Sequence, residues 1–307
     1  MTSIVPGKYG DMGSLDGVEI AFQIVKFPII LVSSLIFSPL VWYNKHKTWR
    51  RVLGHQAFRW AARLKDSQPQ TVEEDIGSNA RLLWLGSKQT DHVLLYLHAY
   101  LYVLVNRRSI PRPSHRRVVL FLHVQEQLKA RSNIDLGMAI LTYTLTPEAA
   151  FPTPLRQSVA AINYLTSQGV KPENIDLAGD SSESTLKHAN SDIIPPKNLR
   201  EWGGYVLADV PVNQRGYVEA LKAPDDWFKN MDGVVDRNPI TAGSQECLRD
   251  DILAFNEKLK KTYKGKSSFV LQRGGVHDDI FLDFLVNETK LGELTPMIIE
   301  WLAAGYE

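Results

Sequence analysis

Ile175-Asp-Leu-Ala-Gly-Asp-Ser-Ser-Glu-Ser184 is the stretch on which the reading of this chain turns. The short apolar run from Ile175 to Ala178 reads as a buried strand, and Gly179-Asp-Ser181 follows it as a turn. A lone Gly-x-Ser triplet is weak evidence, because many such triplets are plain turns. Its weight comes from what stands on either side of it.

Upstream, Ala80–Leu85 and His92–His98 read as a first pair of strands, 118–130 as a helix and Gly137–Leu145 as a strand. Leu155–Gln168 follows as a helix with Val159, Ile162 and Leu165 on one face, closed by Gly169. Downstream, Gly204–Ala208, Val234–Ala242 and Ser267–Leu271 read as strands, with helices over Leu248–Tyr263 and Thr295–Ala303. Strands separated by helical stretches of about 10–15 residues indicate βαβ units. The fold class expected is therefore α/β, a mostly parallel central sheet flanked by helices. Residues 51–307 form that domain, and residues 1–50 form an N-terminal arm with an apolar helical appendage. Within the arm residues 1–24 show no period and read as loose. Residues 45–66 read as an amphipathic helix and Lys65 to Glu74 as a connector.

Composition excludes several function classes. Lys plus Arg total 35 against 34 Asp plus Glu, which gives no field to draw in nucleic acid. The single cysteine, Cys247, rules out an intrachain disulfide and a cysteine metal cluster.

The apolar stretch 27–43 carries no charge, contains Pro28 and Pro39, ends in Trp42-Tyr43, and is followed by Lys45, Lys47, Arg50 and Arg51. A spanning helix needs about 20 apolar residues, so the run is at the short end. Two readings stay open. One is membrane association through residues 27–43, as on the endoplasmic reticulum, with the basic flank cytoplasmic. The other is a cytoplasmic protein in which a buried helix pair caps an apolar pocket.

Residues 141–157 read Leu-Thr-Tyr-Thr-Leu-Thr-Pro-Glu-Ala-Ala-Phe-Pro-Thr-Pro-Leu-Arg-Gln, ahead of Gly179-Asp-Ser181. Together these resemble the hormone-sensitive-lipase branch of the α/β-hydrolases, with its Tyr-x-Leu-x-Pro-Glu-x-x-Phe-Pro stretch and its Gly-Asp-Ser-Ala-Gly-Gly elbow. Within the branch the chain is most similar to fungal esterases of the steryl-acetyl-hydrolase kind, several of which resemble accessory enzymes of secondary-metabolite pathways. The resemblance implies a carboxylic-ester hydrolase acting on a lipophilic small-molecule ester, with no cofactor and no metal. It places the nucleophile at Ser181 and the acid at Glu246, ahead of Leu-Arg-Asp, with Asp250 and Asp251 as rivals. It makes His277, in Gly274-Gly-Val-His-Asp-Asp-Ile-Phe281, the general base. Ser, acid and His follow in the order this fold uses. The oxyanion and substrate-binding positions fall at His98, Ala99, Tyr100 and Ser182.

Three departures from the family pattern bear on activity. The oxyanion loop's glycines are replaced by Ala99, Tyr100 and Leu101, although that loop must aim backbone N–H groups at a developing oxyanion. The elbow's second glycine is Glu183, and the residues after it are too polar for a long buried helix. Pro239 falls in an expected central strand, which predicts a broken or shifted one. These departures motivate an alternative, a catalytically impaired hydrolase-fold protein that binds a ligand or serves as a scaffold subunit. The basic stretch 104–117 reads as a solvated loop without a selected role. Oligomeric state is not legible.

Overall fold

The computed structural model describes residues 2–5, 71–98, 115–144, 149–180, 206–286 and 291–306, with scattered positions between 25 and 36 and at 203–204. Eight strands lie among these residues: β1 (Thr2–Val5), β2 (Thr71–Asp75), β3 (Arg81–Leu85), β4 (His92–Leu97), β5 (Leu136–Thr142), β6 (Ile175–Gly179), β7 (Arg237–Gly243) and β8 (Lys266–Gln272). The helices of eight or more residues are α1 (His115–Ser132), α2 (Thr153–Ser167), α3 (Arg249–Thr262), α4 (Asp279–Val286) and α5 (Leu294–Tyr306). The molecule is α/β, as the alternation of apolar runs and helical patterns predicts.

The strands form two hydrogen-bonded groups. Five run in the order β2-β3-β5-β4-β6; the β2–β3 and β3–β5 pairs are antiparallel, and the β5–β4 and β4–β6 pairs are parallel. Three run in the order β1-β8-β7, all parallel. β6 and β7 are thus both edge strands among the described residues, and both carry the site at their carboxyl ends.

Strand alternation builds the core. On β4, Leu94 and Tyr96 face α1, α4 and α5, meeting Phe121, Val124 and Leu128 of α1, Phe281 of α4 and Leu302 of α5. Val93 and Leu95 face the other way, onto Ala161 and Leu165 of α2. β5 is buried along its whole length, because helices cover both of its faces. Each fully buried leucine of this kind contributes about 1.5–3 kcal/mol. α2 starts with Pro154 in its first turn. It ends in a Schellman motif: Gly169, at φ +91°, donates to Thr166 O and Val170 donates to Leu165 O.

Two helices tie the strand groups together. Arg237 of β7 lies over the Trp301 ring of α5, 3.9 Å from its centroid, and donates to the Trp301 carbonyl. Tyr306 of the same helix donates to Asp176 on β6. α1 makes the second tie, at the strands' carboxyl ends, through Arg117.

Several sequence expectations need correction. Gly204–Ala208 is not a strand: Gly204, Val206 and Leu207 are helical and Ala208 lies in a turn. The strand's period-free apolar run is too short to distinguish the two states. Pro239 does not break β7, which pairs with β8 through Pro239↔Ser268. As an edge strand, β7 tolerates a residue without an N–H. The arm is not featureless, since Thr2–Val5 pairs with β8. The connector before residue 75 contains β2, which pairs with β3 despite its acidic composition. Of the apolar stretch 27–43, residues 28, 29, 32, 33 and 36 are described and helical. Among the described residues no helix is long and apolar enough to cross a membrane. The helix expected at 45–66 lies outside the described residues.

Candidate active site

The site is assembled from three chain crossings at the strands' carboxyl ends. β6 delivers Gly179 and Asp180; Ser181 and Ser182 lie outside the described residues, as do Ala99 and Tyr100. Position 179 requires glycine because β4 passes close by, and a Cβ there would stand 2.9 Å from Leu97 O.

β7 delivers Glu246 through a tight turn. One Glu246 oxygen accepts from the Gly243 N–H at 2.9 Å, and the other lies 2.7 Å from His277 Nδ1. The carboxylate is therefore held at both oxygens. Both side chains are buried, Glu246 at 6% exposure and His277 at 3%. An Nδ1–H donated to a carboxylate fixes the imidazole ring and leaves Nε2 as the proton acceptor.

The β8–α4 loop brings His277 to this carboxylate. The Ser244 N–H donates to Gln272 O at 2.8 Å and the Gln245 N–H to Gly275 O at 2.9 Å, so the turn that carries Glu246 and the loop that carries His277 are stitched by backbone. A Cβ at Gly243 would stand 2.3 Å from Gly275 O, so the two turns fit only without a side chain there. Asp278 follows His277 at φ +55°, a left-handed conformation that aspartate tolerates better than most residues.

His98, at the end of β4, is 7% exposed and stacks on Tyr143, with ring centroids 4.6 Å apart. The Tyr143 hydroxyl donates to the His98 carbonyl and lies 3.2 Å from His98 Nδ1. Gln157, 1% exposed, receives the Thr144 N–H at 2.8 Å and donates to Ser78 O at 2.7 Å, which anchors the chain leaving β5. Here the Tyr-x-Leu-x-Pro-Glu stretch begins.

Composition and spacing gave no sign of the charged cluster behind the site. Arg117 of α1 is 7% exposed. Its Nε lies 3.1 Å from Asp180 Oδ2, while Nη2 contacts that same oxygen and reaches Asp278 Oδ2 at 3.2 Å. Residue 117 is therefore no part of a solvated loop, which corrects the reading of 104–117 at its last position; residues 104–114 are not described. Burial alone would raise the Asp180 carboxyl's pKa, but the Arg117 charge and its hydrogen bonds hold it below its ordinary value. Burial pushes the Tyr96 hydroxyl well up, and the Asp180 charge adds to that.

A cavity of about 620 Å³ opens at this point. His98, Tyr143, Gly179, Asp180, Glu246 and His277 are among its lining residues. Ile240 and Ala242 of β7, Leu120 and Val124 of α1 and Leu302 of α5 also line it. The rival acids Asp250 and Asp251 sit in the first turn of α3, where Arg249 pairs with Asp250. Among the described residues no group of three or more His, Cys, Asp or Glu side chains could hold a metal ion.

No protein-family model matches the chain. Among solved structures it is similar to an esterase from the bacterial hormone-sensitive lipase family. The TM-score is 0.64 at 18% identity, over 90% of this chain and 97% of that one. It is also similar to carboxyl esterase 2 from the mycorrhizal fungus Tuber melanosporum, with a TM-score of 0.59 at 15% identity over 78% and 88% of the two chains. Among curated proteins it resembles an acetyl-hydrolase from Streptomyces hygroscopicus, 33% identical over 102 residues. That match spans 33% of this chain and 29% of the relative's length.

Proposed function

The chain has the α/β-hydrolase fold, and from that premise we propose that it is a serine hydrolase cleaving a carboxylic (acyl or acetyl) ester of a lipophilic small molecule. The observation that carries the reading is the buried Glu246–His277 pair at 2.7 Å. The pair lines a cavity that Gly179 and Asp180, immediately before Ser181, also line.

In this reading Ser181 Oγ attacks the ester carbonyl while His277 Nε2 takes its proton, and an oxygen–carbon bond forms as the carbonyl π bond opens onto oxygen. His277 then returns the proton to the departing alkoxide, which leaves as the alcohol. Water repeats the sequence on the acyl-serine, releasing the acid. Glu246 orients the ring and stabilises the imidazolium formed in each half. Backbone N–H groups of Ser182 and of the loop at Ala99 and Tyr100 are the proposed oxyanion donors, with His98 setting where that loop leaves β4. The apolar reach of the cavity supports a lipophilic acyl group. The names of the similar esterases and of the acetyl-hydrolase agree with the reaction class.

Hydrolysis of p-nitrophenyl esters from acetate to octanoate tests the reading, with Ser181→Ala as the control. Turnover in the wild type that the variant loses supports it, and equal rates contradict it. The replaced glycines at 99–101 and 183 favour a second reading, a ligand-binding protein without turnover. That reading predicts a ligand-induced thermal shift and no ester cleavage.

Membrane association through the N-terminal stretch also remains a proposal. Val25, Ile29, Val32 and Ile36 are exposed at helical spacing, which supports an apolar stripe available to a lipid surface. Co-sedimentation with phosphatidylcholine vesicles tests it, and a Val25/Ile29/Val32/Ile36→Ser variant should lose binding.

A further inference from the structure

We infer that Arg117 is a positioning residue of the hydrolytic site: its guanidinium draws the Asp278 carboxylate away from His277 Nε2 and holds the turn before Ser181 against the loop that carries His277. The inference rests on the reading of His277 as the base.

The geometry is specific. Asp278 Oδ1 lies 3.6 Å from His277 Nε2, the nitrogen that must stay open to accept a proton. The same carboxylate's Oδ2 is 3.2 Å from Arg117 Nη2. Asp278 therefore stands between two cations, Arg117 and the imidazolium that forms in the reaction. Arg117 also grips Asp180, the residue before Ser181, through Nε and Nη2. One planar guanidinium thus joins the neighbours of the proposed nucleophile and base. An arginine's fork meets two carboxylates at once, whereas an ammonium meets them as a point charge.

Among the described residues β6 and β7 belong to two different strand groups. At their carboxyl ends Arg117 reaches both Asp180, which follows β6, and Asp278, in the loop after β8. It is packed against the Phe281 ring, 5.2 Å from its guanidinium carbon.

The charged and titratable groups around the imidazole define the electrostatics. Glu246 faces Nδ1 from the β7–α3 turn. Asp278, on the imidazole's own loop, faces Nε2, and Asp279 follows it at the start of α4. Arg117 from α1, Asp180 from the end of β6 and Tyr96 from β4 stand behind Asp278. His98 at the end of β4 and Tyr143 after β5 line the same cavity. With Arg117 in place, the Asp278 carboxylate is paired with the guanidinium. Without it, the carboxylate turns onto Nε2–H and stabilises the protonated ring. A base already protonated at neutral pH cannot take the serine's proton.

The test is the titration of the His277 ring by ¹H–¹³C NMR in the full chain, assigned by the signal lost in His277→Gln. Arg117→Gln is expected to raise the ring's pKa by about one unit, a tenfold change in the protonation constant. Arg117→Gln with Asp278→Asn is expected to return it to the wild-type value. Arg117→Lys keeps the charge without the fork and should give a smaller rise. If Arg117→Gln does not fold, Arg117→Lys alone and paired with Asp278→Asn carry the same comparison.

An unchanged pKa in the folded single variants overturns the inference, as does a rise that persists in the double variant. A purely structural role would lower stability and leave the titration where it was. Where esters are turned over, the acid limb of kcat/KM must move upward in pH with the ring. The titration does not depend on turnover. Absence of esterase activity therefore counts against the hydrolase reading, and an unmoved ring counts against the role of Arg117.

Discussion

His277 Nδ1 lies 2.7 Å from Glu246 Oε1, and the other Glu246 oxygen is held by the Gly243 N–H at 2.9 Å. The carboxylate can neither rotate away nor be replaced by water without breaking a buried hydrogen bond. Glu246→Gln keeps the shape but can offer an N–H to Nδ1, which favours the tautomer with its proton on the wrong nitrogen. The expected outcome is a fall in kcat of about 10²–10⁴-fold with native circular dichroism. A loss below about threefold would show that the pair is structural only.

Gly243→Ala tests the stitching of the Glu246 turn to the His277 loop. Its Cβ would stand 2.3 Å from Gly275 O, a backbone atom that cannot swing aside. The variant should lose about 1–3 kcal/mol of unfolding free energy in urea. Its ester hydrolysis should fall further than stability alone explains, because the two turns must separate. Wild-type stability would contradict the packing described here.

Asp180 predicts an acid-dependent stability difference. Its folded pKa lies below the ordinary 3.8 because the Arg117 charge and hydrogen bonds outweigh burial. Between the two values the unfolded chain binds more protons, so stability rises with pH there. The contribution is fully present above 3.8 and is lost as pH falls through the lower folded value. Asp180→Asn should therefore be less stable than wild type at pH 7, and the gap should close below about pH 4. Urea titrations at pH 7 and pH 3 measure it; a gap equal at both pH values would contradict the ion pair.

Much of the scaffold was legible because its signals are local. Leu136–Thr142 is continuously apolar, α2 has Pro154 at its start and Gly169 at its end, and both elements fall within a few residues of where patterning places them. Other features depend on distant partners. Thr2–Val5 becomes a strand by pairing with β8, some 265 residues away, and nothing in four residues announces that. Pro239 argued against a strand, yet β7 forms and is an edge strand among the described residues. At the site, Glu246 and His277 were identified from a family resemblance, and the structure brings their side chains together. Arg117 escaped notice because a buried arginine is recognised only by its partners, Asp180 and Asp278, which are 63 and 161 residues away in sequence.

The apolar reach of the cavity predicts chain-length selectivity. Ile240 lines it from β7 and is only half-buried, so Ile240→Trp adds bulk there without removing core. The variant should lose about tenfold in kcat/KM for p-nitrophenyl octanoate, equivalent to about 1.4 kcal/mol. It should keep its activity toward the acetate. Equal losses on both esters would place the acyl group elsewhere.

The central claim is that Ser181 is the nucleophile served by the Glu246–His277 pair. Mass spectrometry of the protein after reaction with a fluorophosphonate tests it most directly. The account predicts one phosphonyl adduct, on the peptide containing Ser181, absent in Ser181→Ala and formed far more slowly in Glu246→Gln. An unmodified Ser181 peptide after prolonged exposure, or an adduct that forms at the same rate in Glu246→Gln, would contradict it.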